Sequence, residues 1–543
     1  MRSQRRHIAA GVRDRLHDRD RTLSPSFFSA HPAQGNSPLN HPPALMSLSW
    51  DTYDSHLNPK NWPFAKKLSA TLLVTAISFS VQYASAADSM AAELIEAEFF
   101  VNSTVETLAT GLPSYPISCV ILFKGGIQTD NSNCRSIPRG PCLGSSCSRP
   151  LSEISGRNPV YLVSYASFML LIIGTALIHN IAGQLILRFL AGVCGSASLV
   201  CAGGTVSDLW SPLEQIYIFP VYAIGGFMGL AIGPAVGGAI AGSSGVSWRW
   251  VEWSTSIMAG VILVLVLLLQ PETYGPVLLQ WKEQTMIECL QDHELGHSAL
   301  LTEEDISRIM TTASMARVRT REHGAKVLNA FYRPVVLAVS EPVVIMISIY
   351  LSLLYVVVFT FLPGYTFIFT STYDFSLRER GASFLGLGVG FLLTVLPVLY
   401  VYRIVRRQVE HDARIHPETL LCYAMIGAPA VPVSLFWMGW TARESMSPWS
   451  AIAASVLFGF GVLCVFFSSY QYIIHTHGQY AATGLVAVTL IRYLVAGGLI
   501  LVGVPMYETL GVPITLTVLG SIAAALVPIP FYLYRKGSGA REK

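Results

Sequence analysis

Long apolar segments, separated by short polar ones, make up most of the chain from residue 68 onward. Eleven segments hold about 20 mainly apolar residues each, which is the length that an α-helix needs to cross a bilayer. They lie near residues 68–87, 160–179, 183–206, 216–241, 251–270, 335–362, 382–402, 419–440, 449–474, 482–505 and 512–534. This pattern predicts an all-α polytopic membrane protein.

Polar stretches divide the chain into units. Residues 1–66 are rich in Arg, Ser, His and Pro, which predicts a disordered cytosolic tail. A second long polar stretch, residues 272–333, predicts a central cytosolic loop. The apolar residues then form an N-terminal half, 67–271, and a C-terminal half, 334–535, followed by a short cytosolic tail over 536–543.

The distribution of Lys and Arg predicts the orientation of the segments. Basic residues cluster in both tails, in the central loop, beside Arg157 and around Arg406, and such loops favour the cytosol. The loop around Glu98 is acidic, and the sequon at Asn102 is a candidate glycosylation site on its outer side. Ten crossings follow Arg157, so one crossing is missing between Glu98 and Arg157. The predicted total is twelve helices, six in each half.

The missing second helix falls on residues 107–150, which fit a membrane span poorly. The longest apolar run, Pro116–Phe123, is too short to cross a bilayer, and Lys124 follows it directly. One interpretation is a short or re-entrant helix shielded by neighbouring helices. The other, which we favour, is a local corruption of the sequence by a frameshift or a translated intron.

Composition excludes several classes of protein. The chain is 52% hydrophobic and 13% charged, whereas soluble proteins average about 25% charged residues. A GxxxxGK phosphate loop and a catalytic constellation are both absent from the sequence, so we expect neither ATP-driven transport nor an enzyme. Cys142 and Cys147 lack a companion pair at zinc-site spacing, so we expect no metal and no cofactor.

The fifth predicted helix, segment 216–241, has an unusual glycine pattern. Glycines recur at every fourth residue, which places them on one face of a helix, and two further residues, Pro234 and Gly238, adjoin that face. The repeating glycines are Gly225, Gly229, Gly233 and Gly237. Small residues let a neighbouring membrane helix approach closely. The spacing alone is equally typical of a generic packing face.

Three motifs resemble elements of the major facilitator superfamily. The loop before the third predicted helix, segment 160–179, resembles that family's cytosolic Gly-x-Leu-(Ala/Ser)-(Asp/Glu)-x-x-Gly-Arg loop, with Arg149 in place of the usual first glycine. The matching residues are Leu151, Ser152, Glu153, Gly156 and Arg157. Arg188–Gly192 resembles the Arg-x-x-x-Gly element of the fourth helix. Gly229–Gly238 is similar to the fifth-helix antiporter motif, which symporters of the family generally lack.

Further segments, among them Asn58–Trp62 and Pro271–Leu279, resemble the fungal drug:proton antiporter branch. This resemblance implies two six-helix halves and proton-coupled export of small amphipathic or cationic compounds, such as drugs, toxins or polyamines, by alternating access. The implied partners are the substrate, protons and the lipid bilayer, without nucleic acid, and the chain is expected to be a monomer. The plasma membrane is the expected location, with the vacuolar membrane as an alternative. A nutrient importer or a decayed, non-transporting paralogue are the other two alternatives.

Candidate pathway residues come from charged and aromatic positions within the segments. Arg188 and Arg492 are expected to handle charge, although Arg188 lies near a segment end and could instead snorkel to the interface. His475 replaces a carboxylate of the branch and could sense pH, although we favour a neutral interface role. The remaining cavity candidates are Gln82, Tyr83, Tyr350, Tyr355, Tyr470 and Tyr472. Asp88 and Glu252 also lie near segment ends, which weakens the case for a functional role.

Overall fold

The computed structural model describes Gln4 and residues 58–99, 156–294, 341–412, 415–477 and 481–541. Every regular element within these ranges is helical, and ten helices or helical runs are long and apolar enough to cross a membrane. The all-α polytopic prediction is therefore confirmed. The predictions for residues 107–150, for Asn102 and for Leu151, Ser152 and Glu153 lie outside the described residues.

The described part of the N-terminal half consists of five long helices and one short one. They are α1 (Phe64–Ala87), the short α2 (Ala92–Phe99), α3 (Arg157–Leu177), α4 (Ile181–Leu209), α5 (Pro212–Ala241) and α6 (Arg249–Leu269). A further helix, α7 (Gly275–Glu294), follows α6. The first part of the predicted central loop, 272–333, therefore includes a helix, in which Val277, Leu278 and Trp281 are buried together.

The C-terminal half has longer and more interrupted helices. They are α8 (Pro342–Ser371), α9 (Leu377–Ser383), α10 (Leu385–Leu393), α11 (Val395–Asp412), α12 (Cys422–Gly427), α13 (Ala430–Thr441), α14 (Pro448–His477), α15 (Ala481–Leu526) and α16 (Pro528–Arg541). A 3₁₀ turn, Pro417–Leu421, precedes α12. The pieces α9–α11 together form one candidate span, and so do the 3₁₀ turn, α12 and α13.

Two helix boundaries differ from the sequence prediction. The seventh span, predicted at 335–362, is the helix α8, which begins at Pro342 after the extended residue Glu341 and continues past Pro363 to Ser371. Proline favours the first helical position because its missing N–H is not needed there. The last two predicted spans are joined within α15, where Gly511 takes a positive φ of 77° and breaks the helical path.

A capping box fixes the start of α5. The Ser211 hydroxyl accepts a hydrogen bond from the Glu214 N–H at 3.4 Å, and the Glu214 carboxylate accepts one from the Ser211 N–H at 2.9 Å. This arrangement satisfies N–H groups that have no partner within the helix. Lys67 of α1 lies 3.4 Å from the same carboxylate, so the cap also ties α5 to α1.

The glycine face of α5 packs directly on the backbone of α1. A Cβ added at Gly229 would lie 2.5 Å from the Phe79 carbonyl oxygen, and one at Gly233 would lie 2.8 Å from that of Tyr83. These distances leave no room for a side chain, so α5 and α1 lie in close backbone contact along this face. On an adjoining face, Pro234 and Gly238 contact Gly381 of α9, which belongs to the other half.

The two halves also contact each other at both ends of the bundle, which we call outer and inner after the orientation predicted from charge. At the outer end, Arg380 of α9 donates to Glu93 of α2 at 2.6 Å. At the inner end, Gln471 of α14 donates to the Gln215 carbonyl of α5 at 3.2 Å. Between these contacts lies a cavity.

Candidate transport site

The cavity lies between the two halves and is lined by α1, α3, α4 and α5 on one side and by α8, α14 and α15 on the other. Its empty space is about 1040 Å³, including the part open to solvent. The aromatic lining residues are Phe219, Tyr222, Phe227, Tyr355, Phe466 and Tyr470. Small and polar lining residues include Ser78, Gln82, Ser196, Gly203, Gly204 and Thr489.

Arg492 is the central charged residue of this cavity. It lies near the middle of the first part of α15 and is 2% exposed. Its guanidinium carbon is 4.0 Å from the ring centroid of Tyr355, 5.5 Å from that of Phe466 and 5.6 Å from that of Tyr470. Rings at these distances stabilise a buried cation through their electron-rich faces. The aromatic residues therefore hold a positive charge at the wall of the cavity.

Hydrogen bonds fix several of the other lining side chains. The Ser78 hydroxyl donates to the Tyr222 hydroxyl at 3.1 Å, which joins α1 to α5. The Tyr470 and Thr489 hydroxyls lie 3.0 Å apart and join α14 to α15. Among the described lining residues the charged ones are Arg157 and Arg492, and there is no Asp or Glu. The described wall therefore combines aromatic faces with positive charge.

Four of the predicted pathway residues, Gln82, Tyr355, Tyr470 and Arg492, are brought together in this cavity. The other predicted residues, Tyr83, Tyr350, Tyr472, His475 and Arg188, are not among those that line it. Tyr83 and Tyr472 follow Gln82 and Tyr470 by one and two residues, and a helix turns them toward different surroundings. The Tyr83 hydroxyl instead lies 3.3 Å from the Ser254 hydroxyl. The side chains of Tyr350 and Tyr472 are buried elsewhere in the bundle. His475 is half-buried near the end of α14.

Sequence reasoning missed Phe219, Tyr222, Phe466 and Thr489. Each stands in a segment that is apolar on all sides, so hydrophobic periodicity does not separate the cavity face from the faces toward lipid or neighbouring helices. Within the described ranges, three His, Cys, Asp or Glu side chains never converge closely enough to hold a metal ion.

Arg188 lies in a buried ion cluster near the outer end of the N-terminal half. Its Nη1 is 3.1 Å from the Asp88 carboxylate, and its Nη2 donates to the Glu252 carboxylate. The three side chains are between 0% and 3% exposed. The snorkelling alternative for Arg188 is therefore wrong, since its charge is satisfied inside the protein by α1 and α6. Asp88 and Glu252 stand near helix ends in the sequence yet are buried.

A second buried network closes the inner end of the N-terminal half. The Glu272 carboxylate accepts hydrogen bonds from the backbone N–H groups of Arg157 and Asn158, at 2.9 Å and 3.1 Å, and so caps α3. Gly156 takes a φ of +96°, and any Cβ there would strike this carboxylate, which explains the glycine of the loop motif. Burial raises the pKa of Glu272, and the backbone hydrogen bonds offset part of that rise.

Arg157 connects this network to the cavity. Its Nε donates to the Asp208 carboxylate of α4 at 3.1 Å, and its guanidinium lies against Gly204. Because Arg157 begins α3 and also lines the cavity, the cavity extends from the level of Arg492 to the inner end of the bundle. Asp208 is thus a carboxylate that Arg157 contacts within the described residues.

Comparisons with known proteins agree with this architecture. The family model described as Major Facilitator Superfamily matches residues 139–501. The MFS-type transporter kojT of Aspergillus oryzae is 35% identical over 535 residues, which cover 97% of this chain and 87% of the relative. The citrinin biosynthesis cluster MFS transporter mrr1 of Monascus ruber is 28% identical over 495 residues, covering 91% of each chain.

Among solved structures, the xylose transporter XylE from E. coli, in a partially occluded inward open conformation, has the same fold. Its TM-score is 0.58 at 13% identity, and the match covers 87% of this chain and 98% of that chain. At this level of identity the likeness concerns the arrangement of helices and says nothing about the substrate.

Proposed function

Because the chain belongs to the Major Facilitator Superfamily, and is therefore a multi-pass membrane transport protein, we propose that it exports small amphipathic compounds in exchange for protons. The observation that carries this proposal is the cavity between the two halves, lined by both of them and holding a buried arginine among aromatic rings. A site at the interface of two rigid halves is the arrangement on which alternating access depends.

The contacts between the halves support alternating access. The described polar contacts between the halves lie at the two ends and include Arg380 with Glu93 at the outer end and Gln471 with Gln215 at the inner end. Breaking one set while keeping the other would open the cavity to one side only. The proposed cycle is therefore a rocking of the two halves against each other around the cavity.

We assign proton coupling to Asp88, Arg188 and Glu252. Two carboxylates, those of Asp88 and Glu252, contact this one buried arginine. A proton that binds one of them removes one unit of negative charge from the cluster. The cluster joins α1, α4 and α6, so its protonation changes the attraction between three helices of one half.

Export is favoured over import by the resemblance of Gly229–Gly238 to the antiporter motif, whose glycines pack against α1. The lining favours amphipathic aromatic compounds over polyamines, because a polyamine needs carboxylates and the described lining has none. The plasma membrane is the proposed location.

The test uses the purified full-length protein in liposomes with an acidic lumen. Three probes are offered outside: naphthalene-2-sulfonate as an anion, 2-naphthamide as a neutral compound and rhodamine 6G as a cation. A proton antiporter concentrates its substrate on the acidic side, and a protonophore abolishes this accumulation. Protein-free liposomes and Asp88→Asn protein are the controls.

Each outcome separates the proposal from its rivals. Protein-dependent accumulation of at least one probe in the acidic lumen supports antiport. Accumulation only when the lumen is alkaline identifies a proton symporter, which is the importer alternative. If no probe moves through protein that is folded and correctly inserted, the proposal fails in favour of a decayed paralogue.

A further inference from the structure

Gln184 is a buried polar side chain that lies outside the transport cavity. It stands in the first turn of α4 and is 0% exposed, and neither atom of its amide has a hydrogen-bond partner among the described residues. Burying an amide without a partner is unfavourable, so a group of this kind calls for a ligand or a bound water. Gln184 therefore marks a second polar site in the N-terminal half.

The Gln184 side chain shares a helix face with Arg188. The two residues are four positions apart, and they are the only buried residues of the range 181–190. Side chains at this spacing lie one above the other, with their Cβ atoms about 5–6 Å apart. Arg188 contacts the carboxylates of Asp88 and Glu252. Because α4 begins at the outer end, the Gln184 amide lies on the outer side of this cluster.

Packing at the start of α4 places Gln184 beside the chain segments that carry both carboxylates. Ile181, three residues before Gln184, packs against a buried apolar group that includes Ala87 and Val251. The two carboxylate residues of the cluster directly follow Ala87 and Val251 in the sequence. Gln184 is therefore at a level where α4 meets both of these segments.

We propose that Gln184 holds a water molecule against the Asp88–Arg188–Glu252 cluster, and that this water passes the coupled proton from the outer side to a carboxylate. A buried water makes about three hydrogen bonds, which the two ends of the amide and a carboxylate oxygen supply. A proton reaches a buried acceptor along a hydrogen bond, directly or through one water. Gln184 is then a positioning residue, because its amide orients the water and does not itself take up the proton.

The water is unchanged by each transfer. It accepts one proton from the outer solvent and gives one proton to the carboxylate of Asp88 or Glu252, which becomes a neutral carboxylic acid. Asn180, the residue that caps α4, is exposed, so the Gln184 amide lies about one helical turn from the outer surface. One water is therefore enough to connect the cluster with the outer side.

Other titratable side chains described at the outer end of this half are exposed or have partners outside the cluster. They are Tyr83, Glu93, Glu98, His179 and Arg249. Glu93 and Glu98 are 58% and 39% exposed, so solvent reaches them directly. The buried carboxylates Asp88 and Glu252 are the ones that need a water in order to receive a proton.

The inference rests on the proposed function in assigning the coupled proton to the cluster, but the water is measurable without any transport. The experiment records infrared difference spectra of the purified full-length protein in lipid films between neutral and acidic pH, in ordinary water and in oxygen-18 water. A water bound to the cluster changes its O–H stretching band when a carboxylate takes up a proton, and the heavier oxygen shifts that band. We expect this band in the wild-type protein and its loss in Gln184→Leu.

Transport in liposomes connects the water to proton coupling. Gln184→Leu is expected to slow probe accumulation in the acidic lumen at least about fivefold, which is the effect of losing one hydrogen bond. Exchange of labelled for unlabelled probe at equal pH needs no net proton transfer and should continue at the wild-type rate. Gln184→Asn keeps an amide on a shorter side chain, so it should retain the infrared band and accumulate the probe faster than Gln184→Leu.

Gln270 provides the matched control. Its side chain is 4% exposed, and its amide likewise has no hydrogen-bond partner among the described residues. It follows α6 at the inner end, whereas Glu252 stands near the start of that helix. Gln270→Leu removes the same group far from the cluster, so it should keep the band that Gln184→Leu loses and should accumulate the probe at the wild-type rate.

The inference is overturned if the folded wild-type protein shows no oxygen-18-sensitive band, or if Gln184→Leu keeps that band. It is also overturned if Gln184→Leu accumulates the probe as fast as the wild-type protein. If the band depends on Gln184 but the wild-type protein transports no probe, the water site stands and the proposed function alone fails. The two proposals are thus contradicted by different observations.

Discussion

At the scale of single residues, the buried charges have partners from distant parts of the chain. Arg188 meets Asp88 and Glu252, which are 100 and 64 positions away in sequence. A buried charge without a partner is strongly unfavourable, so these three residues depend on one another. The contacts around the Arg492 guanidinium include three aromatic rings at the cavity wall. The proposed function assigns proton coupling to the first group and places the substrate in the cavity that Arg492 lines.

Removing the charge of Arg188 should therefore reveal the cluster's role. Arg188→Met leaves two buried carboxylates without a cation, and we expect a loss of about 3–5 kcal/mol in unfolding free energy. The triple variant Arg188→Met, Asp88→Asn, Glu252→Gln removes every charge and should recover most of this loss. Thermal unfolding of the purified proteins measures both changes.

Transport by the triple variant separates a structural role from proton coupling. If the cluster binds the coupled proton, the triple variant stays folded but no longer responds to a pH gradient. If the triple variant accumulates a probe in the acidic lumen to the same level as the wild-type protein, the cluster only stabilises the fold.

At the scale of helices, α5 organises the contacts in the bundle. Its repeating glycines lie against α1 within its own half, while Pro234 and Gly238 meet Gly381 of the other half. Close backbone contact of this kind is what membrane helices use for association, because lipid competes with any apolar side chain. One helix thus contacts both a fixed neighbour and a partner that moves in the proposed cycle.

A single methyl group should be enough to disturb the contact between α5 and α1. Gly229→Ala places a Cβ 2.5 Å from the Phe79 carbonyl oxygen, so the helices have to separate. We expect a loss of about 1–3 kcal/mol in stability, as for other overpacked sites. Gly233→Leu should lower the stability more than Gly229→Ala does, and it should also lower the rate of transport.

Gly203 of α4 provides the matched control. A Cβ at this position has no neighbour within 4 Å, so Gly203→Ala should be neutral or slightly stabilising. Thermal unfolding is compared for the two alanine variants. Equal stability of Gly229→Ala and Gly203→Ala would contradict the close packing of α5 on α1.

At the scale of the whole molecule, few polar contacts join the two halves among the residues that the structure describes. At the outer end Arg380, only 8% exposed in its side chain, donates to Glu93 and to Thr370. The more exposed Arg378 donates to Ser243 at 3.0 Å. Weak contacts of this kind are suited to a protein that has to break them in every cycle.

Loss of the Arg380 contact should open the outer end. Glu93 is more than half exposed, so we expect its ion pair to contribute only about 1 kcal/mol. Arg380→Gln should then raise the outward-open population about fivefold. The measurement uses a cysteine introduced at Gln82 in a protein without other cysteines. A larger outward-open population makes an impermeant maleimide added outside label this cysteine faster.

Arg378→Gln is the control for this measurement, because it removes the same charge two residues away. It should change the labelling rate much less, since its hydrogen bond is exposed to water. The charge-swapped pair Glu93→Arg, Arg380→Glu should restore slow labelling. Equal rates in all four proteins would contradict a role for Arg380 in closing the outer end.

The sequence by itself determined the number and order of most spanning helices. A bilayer leaves backbone groups no partners except within a helix, so each long apolar segment has one possible structure there. It also determined the glycine face of α5, since spacing by four fixes one side of a helix. Gly156 and Arg157 were likewise recognised from their motif, although their partners Glu272 and Asp208 were not.

Tertiary structure alone decided which residues share a site. Segments that are apolar on every side carry no periodicity to mark the cavity face, so Gln82, Tyr355, Tyr470 and Arg492 were found while Phe466 and Tyr222 were missed. Asp88 and Glu252 resembled ordinary charges at helix ends until the packing of α1, α4 and α6 buried them around Arg188. Burial and pairing depend on how helices pack, and that packing joins residues that sequence separates by a hundred positions or more.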